Sequence, residues 1–151
     1  MLFPEFPLVA AVTAGVLLVL QQILLVTVGA HRGAVKIGAG TGGDTALERK
    51  IRRHGNLAEN AAIFLVVLAL LELSGAAPIG VGLLAATFVA ARLIHAAAFS
   101  SEAASHLAPG PKVFPAMRAI GGIGTALLGT AAALWLLIRV VPALLAFGGA
   151  G

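Results

Sequence analysis

Four long apolar stretches dominate the sequence and constrain its fold more than any other feature. They cover about residues 6–30, 56–73, 77–100 and 115–138. A helix that crosses a bilayer needs about 20 mostly apolar residues, and each stretch is close to that length. The chain is 60% hydrophobic and 11% charged, whereas soluble domains carry roughly 25% charged residues. The sequence therefore predicts an all-α integral membrane four-helix bundle, with residues 1–151 forming a single membrane domain.

The basic residues indicate how these helices cross the membrane. Six Lys or Arg residues lie between residues 30 and 55 and two between residues 100 and 118, against only Arg139 on the opposite side. Because Lys and Arg accumulate in cytoplasmic loops, we expect both long loops in the cytoplasm and both termini outside it. The first stretch lacks a basic n-region and is interpreted as a retained helix, not a signal peptide. The simple composition and short loops favour a bacterial inner-membrane protein.

The composition and the motifs argue against several classes of site. The chain has no cysteine, which excludes disulfides, thiolate metal ligands and a cysteine nucleophile. We expect no metal site, because the four histidines share no ligand spacing. The net charge of +4 does not indicate nucleic-acid binding, since the basic residues flank apolar spans. Residues 38–43 spell a G-x-G-x-x-G motif, but they follow a membrane helix and no strand, so a dinucleotide site is not expected.

Polar side chains at the start of the second stretch carry the main functional signal. Arg52, Asn56 and Glu59 are spaced i, i+4, i+7 and should share one helical face. Arg49 and Arg53 flank that face. Ionisable groups inside a membrane helix are costly and are a functional-site hypothesis by default. Further along the same helix, Glu72 is expected to be solvated at the turn that follows it.

The third and fourth stretches bring further polar groups to the same depth. Arg92, His95 and Phe99 are spaced i, i+3, i+7. Glu59 and Arg92 should each lie about 21 Å from the turn between their helices, at roughly 1.5 Å per residue. Arg118 opens the fourth stretch near the same edge. We therefore predict one polar layer to which three helices contribute.

Simpler roles remain open for each member of this layer. Glu59 and Arg92 would form a structural ion pair if they met, and Asn56 could complete it. His95 alone is typical of a hydrogen-bonded interior histidine. Arg118 could extend to lipid headgroups. Arg49 and Arg53 could do the same at the membrane surface.

A ridge of small residues on the fourth stretch predicts close helix packing. Gly121, Thr125, Gly129 and Ala133 follow one another at four-residue spacing. Small residues at this spacing let two helices approach closely in lipid. Two interpretations stay open: a contact within one bundle, or an interface between subunits.

The chemistry of the polar layer limits what it could bind. Arg side chains recognise carboxylates in a bidentate manner, and a Glu carboxylate would accept hydrogen bonds from an ammonium group. The residues present thus suit a ligand with carboxylates and an amine. There is no Ser-His-Asp arrangement and no H-E-x-x-H motif. A small multidrug-type transporter is disfavoured, because the first stretch contains no acidic residue within residues 6–30.

Two motifs resemble the signatures of the MAPEG family, the membrane-associated proteins in eicosanoid and glutathione metabolism. They are Glu48-Arg49-x-x-Arg52-x-x-x-Asn56-x-x-Glu59-Asn60 and Arg92-x-x-His95-x-x-x-Phe99. The resemblance covers essentially the whole chain, including the four-span plan. It implies a homotrimer in which glutathione, as cosubstrate, binds between neighbouring subunits near the cytoplasmic face. Phe99 replaces a usual tyrosine, and Asn60 replaces an aromatic residue of some members.

The resemblance also implies roles for individual residues. Glutathione-binding positions would be Arg52, Asn56, Glu59, Arg92 and His95, with Arg49 and Arg53 beside them. Arg118 would be the catalytic arginine next to the sulfur, and His106 is a weaker rival for that role. The implied activity is a glutathione-dependent transferase or peroxidase acting on lipophilic electrophiles in the membrane. The alternative is a non-catalytic lipid-binding or scaffold protein on the same fold.

Overall fold

The computed structural model describes residues 6–104 and 109–148, and this part of the chain is built from helices and their connections. The four long helices are α1 (Leu8–Val35), α2 (Thr45–Leu73), α3 (Pro78–Ala98) and α4 (Val113–Gly148), and a short 3-10 turn lies at Glu102–Ala104. Each of the four is long and apolar enough to cross a membrane. The predicted all-α, four-helix membrane architecture is confirmed. Helices α1, α2 and α4 extend beyond the apolar stretches.

Helix α2 begins well before its apolar part because Asp44 caps it. The Asp44 carboxylate accepts a hydrogen bond from the backbone N–H of Leu47 at 2.8 Å, which satisfies one donor of the first turn. His31 Nε2 donates to the other carboxylate oxygen at 3.0 Å, and this contact lowers the pKa of the Asp44 carboxyl. Lys50 donates to His31 Nδ1 at 2.8 Å. The cap places the whole basic segment that follows on one continuous helix.

The helices form two closely packed pairs, α1 with α2 and α3 with α4, and α2 also contacts α3 and α4. Phe64 of α2 stacks on Phe88 of α3 with ring centroids 3.6 Å apart. Leu57, Leu68 and Val81 are also fully buried between the helices. Since lipid is as apolar as these side chains, close van der Waals packing and hydrogen bonds hold such a bundle together. This core fixes the relative positions of α2, α3 and α4.

The expectation that Glu72 is merely solvated is wrong. Its carboxylate accepts hydrogen bonds from the backbone N–H groups of Val9 at 3.0 Å and Ala10 at 2.6 Å. These are first-turn donors of α1 that lack a partner within the helix, and Pro7, at the N-cap, supplies no side-chain acceptor. Glu72 therefore caps a different helix from its own. At the same end of the bundle, Arg139 of α4 binds the Ser74 hydroxyl at 2.9 Å.

The small-residue ridge of α4 divides into two parts. Gly121 and Thr125 are buried against α3. A Cβ added at Gly121 would lie 2.6 Å from the Cβ of His95 and 2.8 Å from the carbonyl oxygen of Ala91, so only glycine allows this approach. A Cβ at Gly129 would meet nothing within 4 Å. The first part of the ridge thus packs within the bundle, while the second faces an open surface.

We predict opposite outcomes for alanine at two glycines of this ridge. Gly121→Ala should push α4 away from α3 and lower the free energy of unfolding by about 1–3 kcal/mol, the usual cost of overpacking. Gly129→Ala is the matched control and should be neutral or slightly stabilising, since alanine favours helix over glycine by about 1 kcal/mol. Thermal unfolding in detergent, followed by circular dichroism, measures both. Equal stability of the two variants would contradict the close contact at Gly121.

Candidate functional site

An open crevice lies at the basic end of the bundle, which is the end that holds the α1–α2 and α3–α4 connections. Its volume is about 240 Å³, and α2, α3, the residue that follows α3, and α4 all contribute to its wall. The lining residues are Ile51, Arg52, Gly55, Asn56, Glu59, His95, Phe99 and Arg118. The structure thus brings together most of the polar layer that the spacing predicts.

Arg92 lies behind the crevice wall and is the largest of the fully buried side chains, with 1% of its surface exposed. Its Nη1 donates to the Thr125 hydroxyl of α4 at 2.8 Å, and its Nη2 donates to Asn56 Oδ1 of α2 at 2.5 Å. A buried guanidinium is tolerated only where such partners replace water. Arg92 therefore joins α2, α3 and α4 at one point through neutral acceptors.

The Arg92 guanidinium also determines which hydrogen-bonding groups two crevice residues, Asn56 and His95, can present to a ligand. Arg92 Nη2 lies 3.3 Å from His95 Nδ1. Because a guanidinium has only donors, Nδ1 must accept and the ring proton of neutral His95 must sit on Nε2. Asn56 uses its carbonyl oxygen for Arg92, which leaves its NH₂ group as a donor. Both residues thereby offer N–H groups for a ligand.

Glu59 does not form the ion pair with Arg92 that the sequence left open. It is exposed along the crevice, and within residues 6–104 and 109–148 the only ion pairs are His31–Asp44 and Arg49–Glu102. Arg52 is likewise exposed on the crevice wall. Glu59 and Arg52 are therefore accessible to a bound molecule.

Arg118 closes the crevice from the side of α4. Its Nη1 donates to the carbonyl oxygen of Ala104 at 2.9 Å, and its guanidinium carbon lies 5.0 Å from the centre of the Phe99 ring. Phe99 in turn contacts the His95 ring, with centroids 5.0 Å apart. The remaining Arg118 donors have no hydrogen-bond partner in the described part of the chain. A cation is thus held at the crevice by one hydrogen bond and one aromatic face.

The other predicted cations point elsewhere. Arg49 Nη2 forms an ion pair with Glu102 at 3.1 Å, and Arg53 Nη2 donates to the Thr27 hydroxyl of α1 at 3.1 Å. Neither residue lines the crevice. Arg49 and Arg53 therefore form contacts near the crevice but are not part of its wall. His106 lies outside the described residues.

Two residues near the site have roles that sequence reasoning missed. Thr125 was identified only as part of the packing ridge, yet its hydroxyl is a partner of Arg92. The sequence signal that could have revealed this role is the polar side chain of Thr125 on an otherwise small-residue ridge, one turn from Gly121. Glu102 carried no signal, because it lies in a short 3-10 turn without helical periodicity.

The arrangement can bind a small zwitterion and stabilise an anion. Arg52 and Arg118 supply two guanidiniums, and Glu59 supplies one carboxylate. The guanidiniums suit carboxylates, and Glu59 suits an ammonium group. Within the described residues, no group of three or more His, Cys, Asp or Glu side chains could hold a metal ion. The site is therefore equipped for polar recognition by protein side chains.

A sequence model of the MAPEG family matches residues 10–140, which covers most of the chain and all of the crevice residues. No curated protein matches the chain.

We predict that stability depends on Asn56 far more than on Glu59. Asn56→Leu removes an acceptor from a buried guanidinium and should lower the free energy of unfolding by about 3 kcal/mol. Glu59→Gln changes an exposed side chain and should stay within about 0.5 kcal/mol of the wild type. Unfolding in detergent compares the two. A loss in Glu59→Gln as large as that in Asn56→Leu would contradict the assignment of Arg92 to neutral acceptors, because it would mean that Glu59 compensates Arg92 as much as Asn56 does.

Proposed function

Since the chain belongs to the MAPEG family, we propose that this multi-pass membrane protein is a glutathione-dependent transferase or peroxidase acting on lipophilic electrophiles. The observation that carries the proposal is the convergence of Arg52, Asn56, Glu59 and Arg118 on one crevice. Glutathione offers carboxylates, an ammonium group and a thiol, and the crevice holds N–H donors for a carboxylate, an acid for the ammonium group and a second cation for the thiolate.

Each polar group of the crevice has a role in this proposal. Arg52 binds a glutathione carboxylate, for which its guanidinium supplies parallel N–H donors. Glu59 accepts hydrogen bonds from the ammonium group. Asn56 donates through the NH₂ group that Arg92 leaves available. His95 donates through Nε2, and Arg92 acts indirectly by orienting Asn56 and His95.

Arg118 activates the sulfur in this mechanism. A thiol has a reference pKa of about 8.5, and the thiolate is the nucleophile. A guanidinium beside the sulfur favours the thiolate, and a pKa lower by about two units corresponds to roughly 2.7 kcal/mol. The thiolate then attacks an electrophilic carbon, a C–S bond forms, and the displaced electron pair leaves with the departing group. With a lipid hydroperoxide, two glutathione molecules become the disulfide, and the products are an alcohol and water.

An apolar groove next to the crevice supports a lipophilic substrate. It has a volume of about 320 Å³ and runs between α2 and α4. Asn60 and Thr125 lie at its polar side, and Ile63, Val67 and Gly129 lie along its apolar walls. An electrophile dissolved in the bilayer could enter here, while glutathione enters from the aqueous phase. The groove also exposes the outer part of the α4 ridge.

We further propose a homotrimer with the crevice on the cytoplasmic side of a bacterial inner membrane. The crevice lies at the end of the bundle that carries most Lys and Arg residues, which is the cytoplasmic end under the positive-inside rule. In one chain, Arg52 and Glu59 are exposed and the crevice is open on one side. Neighbouring subunits would shield these charges from lipid and complete the site.

One observation favours the alternative, a non-catalytic lipid-binding or scaffold protein. Phe99 lies in the crevice wall beside Arg118 and supplies no hydroxyl donor, and the chain contains no tyrosine at all. A thiolate in the crevice would then have Arg118 as its main stabilising group. Binding of glutathione without conjugation of a model electrophile would support this alternative.

We predict that binding and catalysis depend on different arginines. Arg52→Ala and Glu59→Gln should each weaken glutathione binding about 10-fold or more, the effect of losing a hydrogen bond to a charged group. Arg118→Ala should largely spare binding but lower the conjugation rate about 25-fold at pH 7, because a rise in the thiol pKa from about 6.5 to about 8.5 lowers the thiolate fraction from about three quarters to about 3%. Its pH–rate profile should shift upward, since the thiol would ionise nearer to its reference pKa. Isothermal titration and a conjugation assay measure both effects.

Lys112→Ala is the matched control, because Lys112 is an exposed cation near the start of α4 that does not line the crevice. It should bind and conjugate glutathione like the wild type. Absence of glutathione binding by the wild-type protein would refute the proposal. Equal loss of binding and rate in Arg118→Ala would refute the role assigned to that residue.

A further inference from the structure

The residues that follow α3 and its cap residue Phe99 form a strap over the basic end of the bundle. We define the strap as residues 100–104, which include the 3-10 turn Glu102–Ala104. Ala103 and Ala104 are buried, at 3% and 2% exposure, whereas Glu102 points outward. Ala103 N–H donates to the Ser101 hydroxyl at 3.2 Å and Ala104 N–H donates to the Ser101 carbonyl at 3.3 Å. These contacts make the strap a compact unit.

The strap holds the guanidinium of Arg118 in place. The Ala104 carbonyl accepts the hydrogen bond from Arg118 Nη1 at 2.9 Å, and the Phe99 ring, immediately before the strap, covers one face of the same guanidinium. An arginine side chain has several rotatable bonds, so these two contacts select one orientation at the crevice. Any shift of the strap moves the acceptor that Arg118 depends on.

One ion pair ties the strap to the helix on the other side of the crevice. Glu102 Oε1 lies 3.1 Å from Arg49 Nη2 of α2. Among the described residues, no other hydrogen bond or ion pair joins the strap to α2. The side chain of Arg49 is 16% exposed and that of Glu102 is 72% exposed. Because Glu102 is largely exposed to solvent, its ion pair with the mostly buried Arg49 is screened and contributes little to global stability, so the fold does not depend on this pair.

We propose that Arg49 and Glu102 are positioning residues for the reaction at the crevice. The pair fixes the distance between α2, which carries Arg52 and Glu59, and the strap, which orients Arg118. It therefore sets the geometry between the bound thiol and the cation that stabilises its thiolate. The inference rests on the proposed function and deepens it, because it assigns Arg49 a partner within the chain instead of a ligand.

A charge-exchange series tests this proposal. Glu102→Arg and Arg49→Glu should each lower kcat for conjugation about 10- to 100-fold, because small misplacements of a catalytic group cost up to about this much. The KM for glutathione and the melting temperature should change little. The double variant Arg49→Glu/Glu102→Arg restores the pair with its charges exchanged and should recover most of kcat. Glu48→Gln, an exposed acid beside Arg49, is the matched control and should behave like the wild type.

The outcomes separate this inference from the proposed function. A double variant as slow as the single variants, or single variants with unchanged kcat, would overturn the positioning role. A second measurement requires no glutathione and therefore tests the inference even if the wild-type protein binds none. In protein labelled with ¹⁵N-arginine, the Arg118 side-chain resonance, assigned by its loss in Arg118→Lys, should shift in Glu102→Gln and stay in place in Glu48→Gln. An unchanged Arg118 resonance in Glu102→Gln would overturn the inference whatever the ligand is.

Discussion

The hydrogen bonding of one buried guanidinium organises the basic end of this bundle. Arg92 has almost no exposed surface, yet it lies in a helix that is apolar enough to cross a membrane. A charge in that position requires partners from the protein, since neither lipid nor water is available to it. Asn56 and Thr125 supply oxygen acceptors from two other helices. The close approach of α4 that brings Thr125 within reach depends on the missing side chain of Gly121.

The acceptors of Arg92 are neutral groups, and this determines which charged side chains remain exposed in the crevice. Had Glu59 paired with Arg92, the acid and the buried cation would have neutralised each other in a purely structural contact. Because amide and hydroxyl oxygens accept from the two Nη atoms of Arg92 instead, Glu59 stays exposed in the crevice together with Arg52. The crevice thus keeps separated charges of both signs at its surface. Under the proposed function, these separated charges recognise a zwitterionic thiol, and Arg118 supplies a cation for its thiolate.

The sequence predicts the backbone arrangement well and the side-chain partners less well. Helical periodicity places Arg52, Asn56 and Glu59 on one face of α2, helical rise places Glu59 level with Arg92, and the crevice unites that face with His95. Periodicity gives a face and a depth, but it does not decide which of several nearby acceptors a long side chain reaches. From the sequence, Arg92 could extend to Glu59 or to Asn56, and in the structure it binds Asn56 and Thr125. Loops carry even less information, so the partner of Arg49 in the 3-10 turn could not be predicted. The cap that Glu72 provides for α1 joins residues 62 and 63 positions apart in the chain, and local sequence patterns do not show such contacts.

An experimental structure of the protein with glutathione in a lipid environment would test the proposed site most directly. We expect density for the tripeptide in the crevice, in contact with Arg52 and Glu59 and with its sulfur beside Arg118, while Arg92 remains bound to Asn56 and Thr125. Density for glutathione elsewhere on the molecule, or an Arg92 side chain turned outward and paired with Glu59, would contradict this expectation.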